Sequence, residues 1–222
     1  MPEEEILSLI DERIKTHDQD PLAHDLAALR QSVELAESKT GIWSIRAADD
    51  FKGPDGPLTT TEVGNLSWSA IGGNQLYHIS GVARTPDGQL RGTTVDAGMP
   101  DGQVEAVLTP GDSQAGLYLR FDSPGNYLML GRGADGIITL LRFLNGPSTA
   151  IVPPTYRMPV AGERYKARMI GERIWIFRIV GSDEELLFDT IEPQFRTKGA
   201  HGIRVSGTGS IGNFRLLKRE EI

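Results

Sequence analysis

The chain has 222 residues, a net charge of −7 and no cysteine. This length fits one large β domain with an appendage, or two small domains. The acidic balance, without a block of Lys or Arg, excludes nucleic acid as the expected partner. The lack of cysteine excludes thiol catalysis, thiolate metal sites and disulfides. No stretch approaches the roughly 18 apolar residues of a membrane helix. Because the N-terminus also lacks a secretory signal pattern, we expect neither a membrane partner nor export.

The first forty residues carry two helical patterns separated by Asp20-Pro21, since Asp caps a helix and Pro suits its first position. Apolar residues spaced three or four apart form one narrow seam: Leu7, Ile10 and Ile14 in the first helix, then Leu22, Leu26, Leu29, Val33 and Ala36 in the second. A narrow seam is typical of helices that pack on copies of themselves. We therefore predict that residues 1–40 form a coiled-coil oligomerisation segment, most simply of a homotrimer. The alternative is packing on the sandwich of the same chain.

Two histidines of this segment, His17 and His24, are seven residues apart and would share a heptad position in an unbroken helix. Three chains would then bring imidazoles close to one axis, which suits a transition metal. Pro21 interrupts the helix between them, so the alternative is that both histidines cap or bridge the break. We expect no obligatory cofactor, with this axial metal or a bound Ca²⁺ as the open alternatives.

The pattern changes to short strands and turns after Gly41. Residues 41–66 are predicted to be a Gly/Pro-rich linker and first strand region, and residues 67–222 an antiparallel jelly-roll β-sandwich, since no helical crossover for parallel strands is visible. The candidate strands are Leu76–Gly81, Val104–Thr109, Gly116–Phe121, Asn126–Leu130, Ile137–Phe143, Tyr165–Ile170, Arg173–Val180, Glu185–Asp189, His201–Ser206 and Asn213–Lys218. Arg173–Val180 is apolar on nearly both faces, with Arg178 as the exception, which predicts a central strand.

Several segments together resemble the concanavalin A-like (laminin-G-like) jelly-roll domains of phage minor tail and fibre proteins. They are Asp49-Asp50-Phe51, Asp55–Leu58, Trp68, Gly72-Gly73, Val104–Leu108, Gly116–Phe121, Asn126-Tyr127, the strands around Tyr165 and Trp175, and Gly212–Leu217. The element from His17 to His24 also resembles phage tail and fibre subunits. The resemblance implies a trimeric virion protein, assembled in the host cytoplasm, whose sandwich engages a host surface glycan or other virion proteins.

Catalytic chemistry has few candidates in this sequence. A retaining glycosidase needs two carboxyl groups close together, most simply on one strand face, and no predicted strand carries such a pair. The acidic run Asp183-Glu184-Glu185 is predicted to be a solvated hairpin tip. His78 and His201 lie in strand patterns and are predicted to be structural. We therefore expect a non-enzymatic protein; the alternatives are a carbohydrate-active enzyme, its glycan-binding module, or an architectural head or tail decoration protein.

The stretch from Arg120 to Asp135 combines aromatic, guanidinium, amide and carboxylate groups, the mixture that sugars require. The candidate glycan-binding residues are Arg120, Asp122, Asn126, Tyr127, Arg132, Asp135 and Asn145. Two structural explanations stay open: Tyr127 belongs to the core, and residues 122–126 serve a hairpin turn.

Overall fold

The computed structural model describes residues 42–220 and, before them, residue 29 alone. The chain divides into two units, Met1–Ile42 and Trp43–Ile222. The predicted helical segment therefore lies outside the described residues, apart from the exposed Leu29. The coiled coil, the trimer and the axial metal site stay predictions, as do the roles of their residues, Leu7, Ile10, Ile14, His17, Leu22, His24, Leu26, Leu29, Val33 and Ala36.

The second unit consists of seventeen strands. In chain order these are β1 (Trp43–Asp49), β2 (Gly56–Pro57), β3 (Ser69–Ala70), β4 (Tyr77–Ile79), β5 (Val82–Arg84), β6 (Arg91–Asp96), β7 (Gly102–Thr109), β8 (Gln114–Ser123), β9 (Asn126–Gly133), β10 (Ile137–Phe143), β11 (Ser148–Ala150), β12 (Thr155–Tyr156), β13 (Arg164–Ile170), β14 (Arg173–Val180), β15 (Asp183–Ile191), β16 (Ala200–Val205) and β17 (Ser210–Arg219).

The strands form two antiparallel sheets. The first has the order β15-β14-β13-β7-β17-β5-β4-β2, with β1 also paired to β17. The second has the order β11-β10-β9-β8-β16-β6-β3, with β12 also paired to β10. Alternate side chains of both sheets meet in one apolar core that includes Leu117, Leu130 and Ile176. The predicted antiparallel β-sandwich is thus confirmed.

Strand prediction succeeded where apolar alternation is strong. The predicted strands Ile137–Phe143 and Arg173–Val180 have the bounds of β10 and β14. By contrast, β6 was not predicted because its sequence, RGTTVD, is mostly polar. It is nevertheless buried, since it lies between β16 and β3, where the Thr93 hydroxyl donates to the Ser69 carbonyl at 3.0 Å. Within residues 41–66, β1 and β2 both belong to the first sheet.

β14 lies between β13 and β15 inside the first sheet, as its two apolar faces predicted. Ile174 and Ile176 enter the core. Arg178, the polar exception on that side, places Nη2 2.7 Å from Oε2 of the buried Glu163. An ion pair therefore explains why a guanidinium interrupts this apolar pattern.

In the described residues, no helix is long and apolar enough to span a membrane.

Candidate functional site

Arg120, the first of the predicted glycan-binding residues, is fully buried. Its Nε donates to the Pro100 carbonyl at 3.0 Å, and its Nη2 donates to Oδ1 of Asp101 at 3.2 Å and to the Gly171 carbonyl at 2.6 Å. Burial lowers the pKa of this guanidinium. Arg120 thus joins two loops of the protein and has no surface on which a sugar could bind.

Arg132 is also fully buried, at the centre of a polar network between the sheets. Its Nε donates to Oε1 of Glu163 at 2.8 Å, and Arg178 Nε donates to Oε2 at 2.8 Å. The Tyr165 hydroxyl also donates to Oε1 at 3.0 Å. Burial raises the pKa of Glu163, but the hydrogen bonds from Arg132 and Arg178 outweigh it, and the net effect lowers that pKa. Since β9 and β14 belong to different sheets, this network stabilises the sandwich.

Four other predicted residues lie in or beside turns. Asp122 Oδ1 is 2.6 Å from Nζ of Lys198. Asn126 Oδ1 accepts the Asn145 amide at 3.1 Å, and Asp135 Oδ1 accepts the Ile137 amide at 3.0 Å. The Asn126 contact agrees with the hairpin-turn alternative for residues 122–126, and Asp135 makes a turn contact of the same kind. The seven predicted residues do not converge on one surface, and no group of three or more acidic or histidine side chains in the described chain could hold a metal ion.

Tyr127, the seventh residue, belongs to an aromatic cluster on the outer face of the second sheet, which points away from the core. We call this cluster the aromatic face; its members are Tyr118, Phe121, Tyr127 and Phe143. The Tyr127 ring stacks on Phe143 at 4.4 Å and on Phe121 at 5.6 Å, measured between centroids. Phe121 and Phe143 are half-buried, so each ring keeps an accessible part.

Strand alternation places these rings outside. On β8, Leu117 and Leu119 lie in the main core, so Tyr118 between them points outward. On β9, Leu128 and Leu130 lie in the core, so Met129 points outward. Tyr118 pairs directly with Met129, which pairs with Leu141 on β10. The outer face thus carries a second, smaller apolar cluster that is separate from the main core.

Beside the aromatic face lies a row of four residues that we call the glycine row. It runs across β10, β9, β8 and β16, and its members are paired in the order Thr139, Gly131, Gly116 and Arg204, so all four are on the outer face. With strands about 4.8 Å apart, Thr139 and Arg204 lie roughly 14 Å apart across two glycines. A Cβ at Gly116 would lie 2.6 Å from the Leu130 carbonyl oxygen, so this floor cannot readily carry a side chain.

Unsatisfied polar atoms lie at both ends of the glycine row. Thr139 Oγ1 and Arg204 Nε are buried and have no hydrogen-bond partner in the described part of the chain. Buried polar groups are normally paired, so an unpaired one needs an explanation. Next to Arg204, burial raises the pKa of the Tyr118 hydroxyl to about 12. That hydroxyl therefore stays neutral and can donate at physiological pH.

An exposed aromatic side chain lies beyond the glycine row. Tyr156 on β12 pairs with Ile137, which points outward like Thr139 two residues later. Its side chain is 60% exposed, and its ring lies over Gly136, where a Cβ would be 2.6 Å from Cε2. The glycine row thus lies between the aromatic face and Tyr156.

A cavity of about 360 Å³ opens elsewhere, among loops. It is lined by Ile79, Arg84, Thr85, Gly88, Asp112, Gly207, Thr208 and Gly209. None of the seven predicted residues lines it, and it contains no aromatic ring. It fits sugar binding less well than the outer face, because sugars use aromatic side chains for their C–H faces.

Two of the remaining candidates for catalysis, the acidic run at residues 183–185 and His201, have structural partners. The acidic run lies at the predicted solvated hairpin tip, since it follows the turn Gly181-Ser182 between β14 and β15 and its first two residues are exposed. Glu184 pairs with Lys166, and Glu185 Oε1 accepts from Arg157 Nε at 2.7 Å. His201 is fully buried, and its Nε2 donates to the Met99 carbonyl at 2.9 Å. Burial lowers the pKa of His201 to about 4.

No protein-family model matches the sequence, and no curated protein matches it. Among solved structures, the chain is similar to the GH43 protein BlXynB of Bacillus licheniformis, with a TM-score of 0.57 and 16% identity over 79% of this chain and 39% of that chain. It is also similar to the metal-free exoplasmic/lumenal domain of VIP36, with a TM-score of 0.55 and 11% identity over 82% of this chain and 95% of that chain.

A third similar structure is the carbohydrate-binding module CBM66 from Bacillus subtilis, with a TM-score of 0.49 and 19% identity over 71% of this chain and 92% of that chain. The chain spans 39% of the length of BlXynB. At the identities of BlXynB and VIP36, the likeness shows the fold alone, which is a β-sandwich, the fold class that the concanavalin A-like resemblance implied.

Of the residues predicted from the sequence, Tyr127 belongs to the candidate site; Phe143, Tyr156, Thr139 and Arg204 were not predicted. The four side chains that were not predicted come from three different strands, β10, β12 and β16, so no local motif joins them. One signal was available, since Tyr118 alternates with Leu117 and Leu119, which predicts an aromatic ring on the solvent face. The pairing of β8 with β16, which brings in Arg204, has no comparable local signal.

Proposed function

We propose that the protein is a non-enzymatic carbohydrate-binding protein whose ligand lies on the outer face of the second sheet, over the aromatic face and the glycine row. The observation that carries the proposal is the placement of stacked rings, including the half-buried Phe121 and Phe143, beside two glycines, Gly116 and Gly131, on the same outer face. Sugar rings present apolar C–H faces to aromatic rings and hydroxyls to polar groups, and this surface offers both.

The polar partners are the groups that the protein itself leaves unsatisfied. Arg204 and the neutral Tyr118 hydroxyl supply donors, and Thr139 Oγ1 can donate or accept. The row spans roughly 14 Å between Thr139 and Arg204, room for more than one sugar residue along the strand-pairing direction. An oligosaccharide rather than a single sugar is therefore the proposed ligand.

The fold is compatible with this use. Among the similar solved structures, the VIP36 domain is known in a Ca²⁺- and mannose-bound form, with a TM-score of 0.53 and 12% identity over 82% of this chain. The similar GH43 protein raises the alternative of catalysis. We favour binding alone, because Glu163, Glu184 and Glu185 are occupied by ion pairs within the protein.

The finer proposal is that this lectin-like sandwich belongs to a phage tail or fibre subunit, assembled in the host cytoplasm as a homotrimer through residues 1–40. It is supported by the seam of apolar residues and by the resemblance of the sequence segments. Light scattering tests the assembly: a trimer that becomes monomeric when residues 1–40 are deleted supports it. A monomeric full chain at micromolar concentration contradicts it. Detection of the protein in purified virions tests the location.

Glycan binding is tested on an oligosaccharide array followed by titration calorimetry with the strongest binder. We expect Phe143→Ala and Tyr156→Ala each to weaken binding by roughly 5- to 150-fold, if stacking of a sugar ring contributes on the order of 1–3 kcal/mol, as stacking of a base on an aromatic side chain does. Ile191→Ala is the control for Tyr156→Ala, because Ile191 is about as exposed as Tyr156 but lies on the first sheet. Tyr156 is exposed, so its replacement should leave folding intact. Unchanged binding by both aromatic variants would place the site elsewhere.

A further inference from the structure

Arg204 is a half-buried arginine without a carboxylate partner in the part of the chain that the structure describes. Several other buried or half-buried arginines have one: Arg132 and Arg178 pair with Glu163, Arg120 with Asp101, Arg173 with Asp189, and Arg142 with Glu192. A guanidinium that loses water without gaining an anion is unfavourable. The buried, unpaired Nε of Arg204 therefore needs an explanation.

The free part of the Arg204 guanidinium is one edge. Nη1 contacts Sδ of Met129 at 3.0 Å, whereas Nε is buried without a partner and no described residue hydrogen-bonds to Nη2. The Nε–Nη2 edge of a guanidinium is one that binds carboxylates and phosphates with two parallel hydrogen bonds. Because Nε has no contact with solvent, full two-point binding requires a small side-chain shift, which the flexible Met129 thioether can provide.

The residues that flank Arg204 on the adjacent strands add no side chains of their own beside the guanidinium. Its neighbours on both adjacent strands are glycines, Gly116 on β8 and Gly92 on β6. A Cβ at Gly92 would lie 2.7 Å from the Tyr118 hydroxyl oxygen, so that hydroxyl lies directly over Gly92, close to Arg204. An anion here would meet a guanidinium and a neutral hydroxyl donor, with no described carboxylate paired to Arg204 to compete.

We infer that the glycan bound on this face carries an anionic group, a carboxylate or a sulfate or phosphate ester, which pairs with Arg204 beside the Tyr118 hydroxyl. The inference rests on the proposed function and names the ligand class for the same site. The net charge of −7 repels anions at long range. Screening over about 8 Å at physiological ionic strength leaves the local pairing with Arg204 as the dominant interaction.

The test uses the full chain on an array of matched glycan pairs that differ only in the charged group: uronate and methyl uronate, sialylated and desialylated, sulfated and unsulfated, phosphorylated and unphosphorylated. We expect the acidic member of at least one pair to bind about tenfold or more tightly than its neutral counterpart, since hydrogen bonds to charged groups are strong. The pair that shows the difference identifies the anion.

Variants assign the preference to one residue. Arg204→Ala should bring the acidic and neutral members of that pair to within about twofold, and Arg204→Lys should keep part of the preference because it keeps the charge without the two-point edge. Arg196→Ala is the control, since Arg196 is exposed and pairs with Glu172 on the surface. Circular dichroism verifies that each variant is folded.

The outcomes separate the two proposals. Tight binding of neutral glycans at the aromatic face, equal to that of their acidic partners, overturns the anionic class and leaves the carbohydrate-binding proposal standing. An acid preference that persists in Arg204→Ala also overturns the inference. Failure of every glycan pair to bind overturns the proposed function itself, together with the inference that rests on it.

Discussion

The indole Nε1 of Trp68 donates a hydrogen bond of 2.9 Å to Oδ2 of Asp49, and both residues are buried. The other carboxylate oxygen, Oδ1, accepts the main-chain amide of Phe51 at 2.9 Å. Trp68 also packs on Phe51 and on Phe214 of β17, with centroid distances of 6.3 and 5.1 Å. The motif Asp49-Asp50-Phe51 and Trp68 are thus joined in one buried cluster that connects the irregular segment after β1 to the sheet.

Removing the Asp49 carboxylate should destabilise the sandwich. Asp49→Ala leaves the Trp68 and Phe51 N–H groups without an acceptor, and each unsatisfied buried donor costs about 1–3 kcal/mol. Asp49→Asn keeps one carbonyl oxygen and should lose less. Urea unfolding measures the difference between the two variants. Equal losses would contradict a role for the carboxylate oxygens as acceptors.

Glu163 should be among the polar residues most important for stability. Glu163→Ala leaves Arg132 and Arg178 without their carboxylate, and breaking a buried pair on one side costs about 3–5 kcal/mol. Glu172→Ala is the matched control, because its pair with Arg196 is exposed and is expected to be worth less than about 1 kcal/mol. Thermal and urea unfolding of both variants check this. Similar losses for both would contradict the importance of the buried network.

His201 should make the protein sensitive to mild acid. In the folded state its pKa is lowered by burial to about 4, compared with 6.5 for an exposed histidine. Between these values the unfolded chain binds the proton and the folded chain does not, so stability is full above pH 6.5 and falls as pH decreases toward 4. The full loss is on the order of 3 kcal/mol.

Substitution isolates this contribution. His201→Gln can accept from the Arg120 amide or donate to the Met99 carbonyl without titrating, so its stability should vary less across that pH window. Urea unfolding at a series of pH values gives the two slopes. Glu163 acts in a lower range, since its pKa is below 4.5 in the folded state and its stabilisation is lost as pH falls below that value. Parallel slopes for wild type and His201→Gln would contradict the assignment.

Two glycines of the glycine row should respond differently to alanine. A Cβ at Gly116 meets the Leu130 main-chain oxygen at 2.6 Å, so Gly116→Ala should cost roughly 1–3 kcal/mol of stability. A Cβ at Gly131 meets Thr139 Oγ1 at 2.8 Å and Gln114 Nε2 at 3.0 Å, which are side-chain atoms that can move. Gly131→Ala should therefore stay folded and weaken glycan binding. Calorimetry measures the loss of glycan binding and urea unfolding measures the loss of stability, so the two methods together distinguish the effects of the two substitutions.

The strands that could be predicted are those with strong local patterns. The alternation in Tyr165–Ile170 and the apolar run of β14 come from neighbouring residues, and both emerge as strands of the first sheet. Turn dipeptides and the lack of helical patterns after Gly41 were enough to predict an antiparallel sandwich. β6 could not be predicted, because its polar residues are buried only through pairing with β16.

The candidate site depended on information that is not local. The chemistry of Arg120 and Arg132 suggested a sugar site from the sequence, yet both enter the interior because they meet Asp101 and Glu163, which are distant in the chain. The residue types present and the periodicity of their apolar positions determine that strands form and which face of each is apolar. Only the register between strands decides which guanidinium meets a carboxylate, because an ion pair requires atoms within about 4 Å and that proximity arises from packing. The same register places Arg204 on the outer face, where we propose that it binds a ligand.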